Sequence, residues 1–251
     1  MDHSLLHSNI SQVKNRIASA ADDINREADH IRLIAVSKTK PADAVRAAFH
    51  AGISDFGENY VSEAVDKCIQ CSDLDITWHF LGPLQSNKTQ QVADHFDWIH
   101  SVDRLKIAQR LNAQRSREKK PLKVCIQVNM PLEESKAGVV SSDELVELAA
   151  AVHNFDRLDL RGIMAIPAPC SEISRQRDQF RLIAELLKTE GLPSAMTELS
   201  MGMSGDMEAA IPLSGQVAGR IDEVKSAAKE IGIHDFIMTL PNNYHYNVKE
   251  R

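Results

Sequence analysis

Lys38 is the residue whose type and setting suit it best to covalent chemistry. It follows Leu33-Ile34-Ala35-Val36, an apolar run that reads as a buried strand. An amine emerging from such a strand into a cavity is desolvated. Desolvation disfavours the ammonium and supplies the free amine that imine formation requires. The same position also suits a lysine whose stem packs on the strand end while its head reaches water. A second stretch, Ser200-Met201-Gly202-Met203-Ser204-Gly205, ends a strand, turns on small residues and opens a helix with Ser204 or Gly205 as cap. Backbone N–H groups at such a turn can hold a phosphate. An ordinary capping turn has the same composition, and Asp206 beside it would repel an anion. His79, between Trp78 and Phe80, reads either as a hydrogen-bonded wall residue or as an acid/base partner.

Other chemistries find no support. Glycoside hydrolysis needs two carboxyl groups across one bond, and Glu58 has no obvious second. His50, His79, His95 and His100 form neither His-x-His nor His-Glu-x-x-His, so no zinc site is indicated. Cys68-Ile69-Gln70-Cys71 falls at the far end of an expected helix, where the dipole is negative and Asp66, Asp73 and Asp75 are near. Neither thiol is activated there.

The elements that position these residues alternate in two textures. Short runs rich in Val and Ile at 31–38, 55–58, 76–81, 98–102, 122–129, 160–166 and 197–202 predict strands. Stretches of helical periodicity at 41–51, 60–71, 87–96, 103–117, 142–155 and 172–190 separate them. This repetition predicts a closed (β/α)8 TIM-type barrel, an α/β fold with parallel strands inside helices. An open dinucleotide-binding sheet would want a glycine-rich turn after its first strand, and Ser37-Lys38-Thr39-Lys40-Pro41 has no glycine. A further helix at 5–29 precedes the first strand. The chain of 251 residues is expected to be one domain, with 212–251 as an atypical end. A net charge of −6 gives no basic footprint for nucleic acid. No apolar run approaches the ~20 residues that span a bilayer. The expectation is a cytoplasmic protein, with no membrane or nucleic-acid partner.

Several stretches together resemble one family. They are Leu33 to Lys40, Phe56-Gly57-Glu58-Asn59-Tyr60, Trp78 to Lys88, His100-Ser101-Val102-Asp103-Arg104, Gln127-Val128-Asn129, Arg161 to Pro167 and Leu199 to Ile211. In this order they are similar to the pyridoxal 5′-phosphate homeostasis proteins (the YggS/PROSC group), over residues from about 4 to 211. The resemblance implies the alanine racemase type of barrel without that enzyme's second domain. It implies Lys38 as the Schiff-base lysine, with Asn59 and His79 lining the pocket. It also places the cofactor phosphate near Ser200, Met201, Gly202 and Ser204. The implied role is buffering or delivery of pyridoxal 5′-phosphate in vitamin B6 homeostasis, to apoenzymes that need it, by a monomer without substrate turnover. The alternative is a weak amino-acid racemase or lyase using Lys38 with His79 or Tyr60.

After Ile211 the chain departs from that family. Arg220-Ile221 is followed by Asp222, where the family has glycine. The alternation in 234–240 predicts the eighth strand there, preceded by a helix at 223–231, with Thr239 reaching the cofactor face. A strand at 214–221 is the competing arrangement.

Overall fold

A computed structural model describes residues 3–129, 137–214 and 224–228. Parallel strands run in chain order around a closed barrel: β1 (Ile31–Val36), β2 (Asp55–Glu58), β3 (Thr77–Phe80), β4 (Trp98–Val102), β5 (Leu122–Gln127), β6 (Leu158–Met164), β7 (Glu198–Met203) and β8 (Val224–Ala228). The expected fold class is the one observed. The helices α1 (His3–Asp22), α2 (Ala42–His50), α3 (Val61–Gln70), α4 (Thr89–His95), α5 (Leu105–Gln114), α6 (Ser142–His153), α7 (Ile173–Leu186) and α8 (Met207–Ser214) complete the units.

Each strand is short and apolar because it is covered on both sides, by helices outside and by barrel contents inside. Every residue of β4 is buried. Between strands and helices lies the main core, with Phe56, Phe80, Ile99, Leu122 and Ile126 almost fully buried. The helix caps follow local chemistry. Ser141 precedes α6 and its hydroxyl accepts from the Glu144 N–H at 3.2 Å, while Glu144 accepts in turn from the Val140 N–H. The extra helix α1 packs outside the barrel. Its Ile17, Ala20 and Ala21 bury against Ile31, Met207 and Ile211, joining the first strand to α8.

Inside the barrel the filling is unusual. Barrel interiors are mostly layers of Val, Ile and Leu. Here Trp98, Cys125 and Met164 form a small apolar cluster, and His79 stacks on Trp98 with ring centroids 5.6 Å apart.

The end of the chain corrects an expectation. Residues 224–228 were expected within a helix; they form β8, paired with β1 from Ile31↔Val224 to Ala35↔Ala228 and with β7 at Leu199↔Val224. Local periodicity favours a helix there, but β1 and β7 would otherwise each present an open edge of unpaired backbone groups. The parallel ladders on both sides outweigh weak helix propensity. The expected strand at 234–240, Thr239 within it, and most of the competing 214–221 lie outside the described residues. Ser214 itself ends α8.

If β8 closes the barrel, a chain ending after Gly219 should melt at a lower temperature than one ending after Ala228. Circular dichroism melting curves compare the two. Equal midpoints would mean that β8 contributes nothing to the barrel.

Candidate functional site at the barrel mouth

At the carboxyl ends of β1, β2, β6 and β7 opens a cavity of about 130 Å³. Its walls include Lys38, Asn59, Met164, Ser200, Met201 and Gly202, with Ile166, Met203 and Asp206 at the rim. Active faces of such barrels lie at this end.

Lys38 reaches the cavity because β1 stops at Val36 and the chain turns sharply. The ladder continues one bond further, Ser37 N–H donating to the Gly57 carbonyl at 2.9 Å. Thr39 then takes φ +64°, the left-handed region that a β-branched residue rarely occupies. That conformation is strained, and a cluster beneath it holds it in place. Thr39 N–H donates to Glu63, and the Lys67 ammonium donates to the Ser37 carbonyl, to Glu58 at 2.7 Å and to Glu63 at 2.6 Å. The Ser37 hydroxyl donates to Glu58 at 2.5 Å. Lys67 is 4% exposed and Glu58 is fully buried. Burial pushes the Glu58 carboxyl above its ordinary range, while Lys67 and Ser37 pull it back. The sequence carries no local signal for this cluster. The i,i+4 spacing of Glu63 and Lys67 was visible as an ordinary helix-surface pair, but nothing local showed that α3 turns it inward onto Glu58.

Asn59 follows β2 and is set by a close approach of backbones. A Cβ at Gly82 would lie 2.2 Å from the Asn59 carbonyl oxygen, so only glycine lets the two loops meet. Gly202 is required for a different reason: its φ is +83° and an added Cβ would sit 3.0 Å from that of Ala210. It ties the end of β7 to α8. The turn covers Ser204 to Asp206 and the helix begins at Met207, so the residue directly before it is Asp206 rather than Ser204 or Gly205. The Asp206 carboxylate accepts from the Met203 N–H, occupying one of the donors expected for a phosphate, and burial pushes its pKa up. From outside, Arg16 of α1 braces the same turn, donating to the Ser204 carbonyl at 2.8 Å and to Glu208 at 2.5 Å.

Of the expected site residues, the fold brings Lys38, Asn59, Ser200, Met201 and Gly202 to one cavity. Ser204 lies in the turn before α8 and is not among the cavity walls. His79 is fully buried in the barrel interior and is not among the cavity walls; Asp55 and His100 bond its two ring nitrogens, at 2.9 Å each. It points inward because β3 alternates, leaving Trp78 and Phe80 on the helix side. Two polar atoms near the cavity, Asn59 Oδ1 and Ser204 Oγ, are buried without a hydrogen-bond partner among the described residues. Such atoms are costly in a folded chain and commonly mark where a ligand completes the bonding. The Cys68 thiol is pushed up to about 12, mainly by burial, which keeps it protonated. Among the described residues no group of His, Cys, Asp and Glu could hold a metal ion, and no helix is long and apolar enough to cross a membrane.

Residues 8–224 match the family described as alanine racemase, N-terminal domain, the class of barrel that this fold and this mouth define. The chain is 49% identical over 229 residues to the pyridoxal phosphate homeostasis protein of Pseudomonas aeruginosa, covering 91% of this chain and 98% of that one. It is 54% identical over 209 residues to the protein of the same name from Escherichia coli K12, covering 81% and 88%. Among solved structures it is similar to PipY of Synechococcus elongatus with PLP bound, at 34% identity and a TM-score of 0.67, over 84% of this chain and 97% of that one. The chain belongs to the pyridoxal phosphate homeostasis protein family.

Removing the Lys67 ammonium by Lys67→Met leaves the Glu58 carboxylate buried without its cation. The expected loss is about 3–5 kcal/mol, read by urea denaturation at neutral pH. The deficit should shrink as pH falls. Burial already raises the folded pKa of Glu58, and loss of Lys67 raises it further, so the folded state favours the protonated acid. That preference is fully present below the unfolded pKa and is lost as pH rises through the folded one. A deficit that grows on acidification contradicts the clamp.

Proposed function

We propose that the chain holds pyridoxal 5′-phosphate in the mouth of the barrel through the Lys38 amine. Its role is to buffer that cofactor in the cytoplasm or pass it to apoenzymes that need it. The observation that carries the reading is the composition of the cavity. One amine stands at the end of a strand, beside a buried Asn59 oxygen that lacks a partner among the described residues. When bound, this cofactor supplies an aldehyde that condenses reversibly with an amine.

The chain's own residues divide the remaining tasks. Lys38 provides the nucleophile, and the strained Thr39 turn aims it. Met164, Ile166 and Met201 give apolar walls that exclude water from the amine. Asn59 Oδ1 accepts a hydrogen bond from the ligand, and Ser200, Gly202 and Ser204 face its anionic group. Thr239 belongs to the same proposal, from residues outside those described. The whole chain, 1–251, is taken as one cofactor-binding domain acting as a monomer.

The reading of buffering without turnover is supported by what stands around the amine. A racemase needs a proton-transfer group on each face of the substrate. Among the described cavity residues the one titratable side chain besides Lys38 is Asp206, which already accepts a backbone N–H. His79 is enclosed in the barrel, and Tyr60 is 57% exposed and not among the cavity walls.

The test is borohydride reduction of the purified protein mixed with the cofactor, followed by peptide mapping. Label should appear on Lys38, and an absorbance change on mixing should vanish in Lys38→Ala. Label that persists elsewhere with the spectrum unchanged in that variant overturns the reading.

A further inference from the structure

One hydrogen-bonded line of side chains crosses the barrel interior and ends in the cavity. Asp55 Oδ1 lies 2.9 Å from His79 Nε2, and His79 Nδ1 lies 2.9 Å from His100 Nε2. His100 Nδ1 lies 2.7 Å from Ser200 Oγ. Both histidines are fully buried, Asp55 is 15% exposed at its side chain, and Ser200 lines the cavity. The line therefore joins the opening strand residue of β2 to the mouth.

The donors and acceptors can be assigned from chemistry. A carboxylate only accepts, so His79 Nε2 carries a proton toward Asp55. In a neutral His79 the other nitrogen, Nδ1, must accept, and His100 Nε2–H supplies that bond. His100 Nδ1 must then accept, and the Ser200 hydroxyl donates to it. With both histidines neutral, the Ser200 hydroxyl keeps its proton but directs it at His100, and presents only lone pairs to the cavity. A proton arriving on Ser200 Oγ reverses this. The original Ser200 proton moves to His100 Nδ1, breaking O–H and forming N–H. The His100 Nε2 proton moves to His79 Nδ1. The positive charge ends on His79 against the Asp55 carboxylate, no ring rotates, and Ser200 holds the incoming proton as a donor.

We propose that Asp55, His79, His100 and Ser200 form a polarity switch: one added proton turns Ser200 from acceptor into donor, so an anionic ligand that needs Ser200 as donor binds with uptake of one proton. This rests on the cofactor-binding reading, with a phosphate monoester or phenolate oxygen as the anion. Charged groups of both signs stand around His79. Asp55 favours it, while Arg32 of β1, 3.7 Å from Asp55, and Lys123 of β5, 5.0 Å from the Trp98 ring, oppose it. Glu198 of β7 is buried and held by Arg161 of β6 at 2.9 Å, with Asp159 3.9 Å from that arginine. Trp98 stacks on His79 at 14° and has its ring 5.6 Å from His100, while Cys125 and Met164 pack on it.

Calorimetry with 4-deoxypyridoxine 5′-phosphate tests the switch, because this probe keeps ring and phosphate and has no aldehyde to react with Lys38. Titrations at about pH 8, above the phosphate's second pKa of about 6, in buffers of different ionisation enthalpy count the protons taken up. About one proton is expected, with Kd rising toward tenfold per pH unit. Asp55→Asn keeps the hydrogen bond but removes the charge, and His100→Gln breaks the relay. In both the uptake should collapse toward zero, with circular dichroism verifying the fold. Nitrogen-15 spectra of the free protein should show both Nδ1 atoms unprotonated at the same pH. Binding without uptake, or uptake unchanged in both variants, overturns the switch and leaves the cofactor reading standing. Failure of the probe to bind the unaltered protein overturns the switch, and the borohydride test on Lys38 decides the cofactor reading separately.

Discussion

The buried contact between Lys67 and Glu58 is the interaction on which the mouth of this barrel depends. An ion pair taken out of water gains little net stability, because desolvation of both groups offsets most of the attraction. Its value here is positional. Lys67 reaches from α3 to a backbone carbonyl after β1 and to a carboxylate on β2, so three elements share one ammonium. Glu63 extends the same cluster to the Thr39 N–H. A left-handed threonine would relax if its surroundings were loose. With Glu63 and Lys67 holding both sides of the turn, Lys38 leaves the strand in a fixed direction.

The second constraint is the polar interior. A barrel filled with branched aliphatics would be easier to pack, and this one instead spends central positions on His79 and His100. Buried imidazoles are tolerated when each ring nitrogen has a partner, and Asp55, the facing histidine and Ser200 supply one for each of the four. Trp98 gives both rings an apolar face to lie against. The arrangement couples Ser200, at the mouth, to Asp55 at the start of β2. A ligand contact at one end is therefore an electrostatic event at the other.

Around the cavity the two sides differ in kind. The Lys38 side is ionic and over-determined, while the β7–α8 side depends on glycine, a tight backbone approach and an outer brace from α1. Asp206 already accepts from the Met203 N–H, so that backbone donor of the turn is occupied within the chain itself.

The alternation of strands and helices is legible in the residues alone, because hydrophobic period is a property of each segment. The β2 and β4 bounds expected at 55–58 and 98–102 are those observed. Lys38 and the Ser200–Gly202 stretch were also legible, as polar or small residues closing apolar runs. The rest depends on packing between distant segments. Lys67 reads as a solvent-facing helix residue until α3 packs against β2. His79 reads as a cavity wall until the pleat turns it inward toward His100, itself bonded to a serine 100 residues away. Residues 224–228 read as helix until two open strand edges claim them. In each case the local signal was weak, and what decided the outcome was a buried charge, a buried side-chain hydrogen bond or an unpaired backbone group supplied by a distant segment.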